Sequence, residues 1–235
     1  MFSYDEGVTG RFPSIHAGVV IASGLVNGRA PDQLIDEYTA EQAAVYDRLQ
    51  ETPISDLPSI SAWRQVFAQF GVKPTQHRSA AEALLRRLSK SGSIPNINTL
   101  VDLGNLVSIR YGMPVAVVDR AGIAGPITVR FADGTESFTD LGADEVSHPN
   151  PGEVVFVDPA NVACARRWCW RQSAQSATSE TTTDAIVVVE GHHENAEQDV
   201  GFALDDLASL LKTYQPRSQL ESYRLSANVP DTELA

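Results

Sequence analysis

Between Pro53 and Pro114 the chain is cut into short lengths by Gly71, Pro74, Gly92 and Gly112, and this punctuation constrains the fold more than any other feature. Each of the longer intervals holds a helix of ordinary length and no more. Upstream, Pro31 suits the first turn of a helix whose Leu34, Ile35, Tyr38, Ala43, Val45 and Tyr46 run toward Pro53. Ser61 to Phe70 reads as a second helix, closed by Gly71 and Lys73-Pro74. Ser79-Ala80-Ala81-Glu82 has capping-box spacing and predicts a third. Ala83, Leu84 and Leu88 are expected to face inward, Arg86, Arg87 and Lys90 to face outward, and Gly92 to stop it. A fourth follows Asn96-Ile97-Asn98-Thr99 and ends by Gly112.

Strand patterns surround this helical block. Ile15 to Ala22 is a short apolar run rich in β-branched residues, as are Val115 to Asp119, Ile127 to Phe131, Val154 to Asp158 and Ile186 to Glu190. Phe202 to Tyr214 is an amphipathic helix, and the tail beyond Pro216 is polar without a sustained period. That tail reads as a docked extension, a partner-binding strap or an unfolded segment. The class is α/β, in the mixed α+β sense.

With 235 residues, of which 43% are hydrophobic, the chain can bury a sizeable core. No apolar run reaches the roughly 18 to 20 residues of a membrane span, and no leader pattern opens the sequence, so a cytoplasmic location without membrane contact is expected. Cys164 and Cys169 have neither disulfide-framework nor metal-knuckle spacing and read as free thiols. The net charge of −12 is uneven. Residues 61–110 carry Arg64, Lys73, Arg78, Arg86, Arg87, Lys90 and Arg110 against Glu82 and Asp102 alone. Such a locally basic face either binds nucleic-acid phosphates or is an ordinary solvated helix face.

Glycine-rich phosphate loops, dinucleotide fingerprints, nucleophile elbows and zinc-protease helices are absent from the sequence, and no cofactor is expected. His192-His193-Glu194 has no matching ligand pair nearby, so no metal site is assigned. Two short segments stand out. His77-Arg78-Ser79 sets an imidazole and a guanidinium before a helix N-terminus, where anions are favoured. Arg166-Arg167-Trp168-Cys169-Trp170-Arg171-Gln172-Ser173 concentrates guanidinium groups and indoles, suiting a carboxylate, a phosphate or a stacked base. Its plain reading is that the tryptophans anchor the core and the arginines cover them. Asn98, Asp102 and Asn105 recur at helical spacing in an otherwise apolar helix, with Arg110 beyond, and a polar stripe of this kind needs partners in the fold or in a ligand.

The series Ile94 to Asn105, Pro114 to Asp119, Gly125 to Arg130 and Pro151 to Val155 resembles the B3/B4 module of the phenylalanyl-tRNA synthetase beta subunit and its free-standing relatives. Lys73-Pro74, Arg78-Ser79 and Arg166 to Ser173 belong to the same pattern. The resemblance is strongest over 58–215. It implies a B3/B4-like single domain over 1–215, a mixed sheet flanked by helices, with 1–57 as an N-terminal elaboration and 216–235 as a C-terminal extension. The activity implied is trans-acting hydrolysis of a mischarged aminoacyl-tRNA ester, with the 3′ aminoacyl end of tRNA as partner. On that basis Asn98, Asp102, Asn105, Arg110, Arg171, Gln172 and Thr178 are the substrate-binding residues, Thr178 lying near the position of the family's acidic side-chain reader, for which this chain shows no clear counterpart. Arg78, Arg86, Arg87 and Lys90 are the nucleic-acid contacts. The catalytic residue stays unassigned. Where the synthetase module has a histidine, this chain has Ala116, which points to a different amino acid, a different ester, or a protein that binds an amino acid or related small molecule without turnover. A third alternative is a protein-interaction module working through the acidic C-terminal region, supported by the amphipathic segment Phe202 to Tyr214, whose simpler reading is core packing.

Overall fold

The computed structural model describes residues 1–235. In chain order its elements are β1 (Phe2–Tyr4), α1 (Glu6–Arg11), β2 (His16–Ser23), α2 (Asp32–Glu51), α3 (Pro58–Gln69), α4 (Ala80–Ser91) and α5 (Thr99–Tyr111). There follow β3 (Val115–Asp119), β4 (Ile127–Phe131), β5 (Phe138–Thr139), β6 (Val146–Ser147), β7 (Val154–Val157), β8 (Ala163–Arg166) and β9 (Arg171–Gln172). The remainder is β10 (Asp184–Gly191), α6 (Ala196–Tyr214) and β11 (Gln219–Ser226). No helix is long and apolar enough to cross a membrane.

The strands form two main sheets, one in the order β11-β2-β10-β3 and one in the order β1-β4-β7-β8-β9, plus the β5-β6 ribbon. The five-stranded sheet is the mixed one: β1 runs parallel to β4 and its other pairs are antiparallel. Period-two alternation along β10 builds both cores. Ala185, Val187 and Val189 join the cluster under α2, α4, α5 and α6, whereas Ile186 and Val188 join the cluster between the sheets, which holds Phe2, Phe156 and Trp168. The fold is therefore helices on a four-stranded sheet on a five-stranded sheet.

The helix punctuation acts as expected. Ser79 Oγ accepts from Glu82 N at 3.2 Å, Asn98 Oδ1 accepts from Val101 N at 2.9 Å, and Gly92 and Gly112 close α4 and α5 in the left-handed region that favours glycine. One expectation is corrected in part. The buried face of α4 is Ala81, Leu85 and Leu88, with Leu84 packed against the same core as expected and Ala83 exposed instead of inward. Of the three readings of the segment beyond Pro216, the structure agrees with the docked extension: β11 pairs with β2 along its whole length, from Gln219↔Ser23 to Ser226↔His16. Its polar alternation reflects an edge strand with Leu225 alone fully buried.

Candidate functional site

The two sheets meet at their edges, where β3 and β9 face each other across a cleft. Gln172 on β9 bridges it, donating from Nε2 to Val117 O at 2.8 Å and to Ser176 O at 2.7 Å. Both amide hydrogens are spent, and the carbonyl oxygen of Gln172 remains as an acceptor. Because side chains alternate along β3, Ala116 looks into the inter-sheet space while Val115 and Val117 look toward α5. The edge of β3 thus divides the cleft into two chambers that share Val115 and Gln172 as lining.

The narrower chamber, about 80 Å³, is lined mainly by apolar groups, among them Pro114, Ala116, Trp168, Cys169 and Trp170. Its floor carries one carboxyl, Glu190. The parity of β10 that sends Ile186 and Val188 between the sheets sends Glu190 there too, where it is fully buried. Tyr4 Oη donates to Glu190 Oε1 at 2.6 Å and Trp168 Nε1 donates to the same oxygen at 2.8 Å. Desolvation lifts the Glu190 pKa from 4.5 to about 7, and the two hydrogen bonds only partly oppose the rise. A carboxyl poised there can accept from, or donate to, a polar group entering the chamber. Burial, with the nearby Glu190, raises the Cys169 thiol well above its ordinary value, so Cys169 is a neutral wall.

The wider chamber, about 250 Å³, lies between α5 and the β5–β6 region. Gly104 lets α5 come this close: a Cβ there would sit 2.9 Å from Val117 Cγ2 and 3.4 Å from Val115 Cγ1. Asn98, Asn105, Gln172 and Thr178 supply its polar lining. Asn98 caps α5 and donates from Nδ2 to Thr178 Oγ1 at 3.3 Å, which ties the helix start to the opposite wall. The Asn105 amide also lines this chamber.

The structure thus brings Asn98, Asn105, Gln172 and Thr178 together, with Arg171 at the mouth of the narrower chamber. Arg171 pairs with Asp140 at 2.7 Å and lies 4.6 Å from the Trp170 ring centroid. Two expected site residues stand elsewhere. Asp102 is buried and accepts from Asn96 Nδ2 and Ile97 N, both at 2.9 Å, so it fixes the loop before α5. Arg110 projects to another side of α5, held by Glu41 and Asp206, each at 2.7 Å. The polar stripe is therefore one cap, one loop anchor and one chamber residue.

The basic helix is likewise only partly free. Glu82 is buried and receives Arg64 at 2.8 Å, Arg86 at 2.8 Å and Arg78 at 3.8 Å, so its side chain does not complete the capping box. Arg87 and Lys90 are exposed and form no ion pair. In the arginine-tryptophan run, Trp168 is a core residue and Arg166 makes a buried two-pronged pair with Glu153. Trp170 is the half-buried indole, with Arg167 at 4.3 Å and His77 at 4.8 Å. His192 is caged by Trp63, Phe12 and Trp168, while His193 turns to Asp199.

Sequence reasoning missed Tyr4 and Glu190. Three-residue β1 shows no period, and Glu190 looked like the polar end of an apolar strand. The signal for Glu190 was its parity with Ile186 and Val188.

A B3/4 domain family model matches residues 62–217, which include every residue lining the two chambers. The phenylalanine–tRNA ligase beta subunit of Shewanella oneidensis is 28% identical over 116 residues, which are 49% of this chain and 14% of that protein. The chain therefore matches a small part of that relative's length. An N-terminal fragment of the phenylalanyl-tRNA synthetase beta-subunit from Pyrococcus horikoshii aligns at 12% identity with a TM-score of 0.48, covering 98% of this chain and 54% of the fragment.

Proposed function

Since the chain belongs to the B3/4 domain family, we propose that it is a tRNA-interacting editing module that hydrolyses, in trans, the ester of a mischarged aminoacyl-tRNA. The observation that carries this reading is a single buried carboxyl, Glu190, at the floor of an apolar chamber beside an amide-lined one. The amino acid side chain enters the narrower chamber, where Glu190 meets a polar tip and takes the place of the acidic reader expected near Thr178. Amides and main-chain groups at the β3 edge hold the ester. Water adds to its carbonyl carbon, the carbon–oxygen bond to the ribose breaks, and the ribose hydroxyl leaves with a proton. An activated ester held in this way needs neither a metal nor a covalent nucleophile.

The domain that does this takes in residues 1–57, because Tyr4 supplies one of the two donors to Glu190. Of the expected nucleic-acid contacts, Arg87 and Lys90 are ready for phosphates, and Arg78 and Arg86 contribute through the positive excess around Glu82. A second reading draws on Ala116: with a methyl group at that wall, the same chambers suit an amino acid bound without turnover. The deciding experiment measures amino acid release from a panel of correctly and incorrectly charged tRNAs with wild type, Asn105→Ala and Glu190→Gln. Selective release that falls about a hundredfold in both variants supports editing. No release above background, with a free amino acid bound instead, supports the second reading.

A further inference from the structure

The turn between β8 and β9 holds Arg167 and Trp168 at φ +46° and +60°, in the left-handed region that bulky side chains avoid. Trp168 is fixed there by the core: its N donates to Val154 O at 2.6 Å and its indole to Glu190 Oε1 at 2.8 Å. Arg167 has no comparable hold. Its side chain is only 14% exposed, yet its one hydrogen bond runs from Nη1 to His77 Nδ1 at 3.4 Å, and its Nη2 stops 3.4 Å from Glu153 Oε1. Glu153 is already engaged by both prongs of Arg166 and by Asn150 Nδ2 at 3.0 Å. A guanidinium carries five N–H donors, so most of those on Arg167 lack a partner in a group largely removed from water. Backbone strain and unsatisfied donors on one residue serve a ligand better than they serve the fold.

Arg167 lines a polar pocket of about 380 Å³, whose other polar walls are Lys73, Gln76 and His77 between α3 and α4 and Asn150 before β7. The pocket shares no residue with either chamber, and Arg87 and Lys90 do not line it. Lys73 is exposed and forms no ion pair. Burial, then the Arg167 charge, lowers the His77 pKa below its ordinary value, so the imidazole is neutral near pH 7. With Nδ1 accepting from Arg167, the ring hydrogen sits on Nε2 and is a further donor. We propose that this pocket is a phosphate-binding site, in which Arg167, Lys73 and the His77 Nε2–H hold the phosphoryl oxygens. Three donor groups of different shape suit the several oxygens of a tetrahedral phosphate, whereas the guanidinium fork alone would hold a flat carboxylate. The phosphate is a diester of an RNA backbone or a monoester of a small molecule, and the same donors serve both. Trp170 lines the narrower chamber and its ring lies against both Arg167 and His77, so occupation of the pocket reaches that chamber through one indole. The site does not depend on ester hydrolysis and is read without charged tRNA.

The test is NMR titration of the full-length protein with inorganic phosphate, dimethyl phosphate and acetate at fixed ionic strength, following the His77 ring and the Trp170 indole N–H. Phosphate is expected to shift both signals and to raise the His77 pKa, with acetate roughly tenfold weaker. Preference for dimethyl phosphate assigns an RNA diester and preference for inorganic phosphate a monoester, and each upholds the site. Arg167→Gly should lower phosphate affinity roughly tenfold while the melting temperature holds or rises, because glycine relieves the left-handed backbone. Lys73→Ala should lower the affinity severalfold and decides alone if Arg167→Gly fails to fold. Arg29→Ala, in a different pocket, should leave it unchanged. Absence of phosphate binding at millimolar concentration, acetate binding as tight as phosphate, or an affinity unmoved by both Arg167→Gly and Lys73→Ala would overturn the assignment. Phosphate binding without amino acid release from any charged tRNA would uphold the site and count against editing alone.

Discussion

At the scale of single residues, Glu190 and His192 set opposite pH dependences two positions apart on the chain. Burial raises the Glu190 pKa from 4.5 to about 7, so the folded state holds a proton there that the unfolded state has released, and stability falls as pH rises through this window. Burial lowers the His192 pKa from 6.5 to about 3, so the unfolded state takes up a proton first, and stability falls as pH drops below 6.5. Where the windows overlap the two slopes offset each other. Glu190→Gln is predicted to unmask the histidine slope, with stability rising between pH 4.5 and 6.5, and to remove a loss of order 3 kcal/mol between pH 4.5 and 7. Chemical denaturation at half-unit pH steps checks the sign. Tyr4→Phe removes one of the two donors that stabilise the Glu190 carboxylate, so it should move any Glu190-dependent rate profile to higher pH. Glu190 was hard to read because its meaning comes from what packs over it. Asn105 was legible because an amide in an apolar helix stands out, whereas Asp102 and Arg110 stood out equally and serve the fold.

At the scale of elements, α5 and α4 show how one helix serves two purposes. Gly104 allows α5 to lie against β3, and Gly104→Ala places a methyl group 2.9 Å from Val117 Cγ2. Overpacking costs about 1–3 kcal/mol, against about 1 kcal/mol recovered from better helix propensity, so the expected outcome is a net loss of stability. Thermal melts of the variant and the wild type check it. On α4, Arg87→Ala with Lys90→Ala should leave stability within about 0.5 kcal/mol and lower the salt dependence of tRNA binding by roughly two counterions. Arg86→Ala should instead cost stability, because Arg86 helps to neutralise the buried Glu82. The caps and glycine stops of both helices were legible because capping is local chemistry. The inward face of α4 was legible at Leu84 and Leu88 and missed at Ala83, because Ala81 and Ala83 are equally apolar and only packing chooses between them.

At the scale of the whole molecule, the four-stranded sheet depends on a segment whose sequence shows little of its role. β11 gives β2 a second neighbour along its length, and Leu225 seals the inter-sheet core from that edge. Removing residues 216–235 is predicted to leave β2 as a bare edge and to lower the melting temperature by more than 10 °C or abolish soluble expression, which a truncation series reads directly. Strand runs with β-branched alternation were legible, but the assignment of strands to two sheets was not. Sheet membership depends on pairings between distant residues that no local period encodes.

Phe2 and Tyr4 are held by residues far along the chain: Phe2 N donates to Thr232 Oγ1 at 3.1 Å, and Tyr4 N to Pro230 O at 2.8 Å. During synthesis the strand that supplies the Glu190 donor therefore leaves the ribosome long before the residues that fasten it. A nascent chain can carry every strand and every helix and still leave the pocket around Glu190 unfastened. The order of synthesis thus separates the making of that strand from its fastening, and a chain interrupted between the two leaves the Tyr4 donor without its anchor.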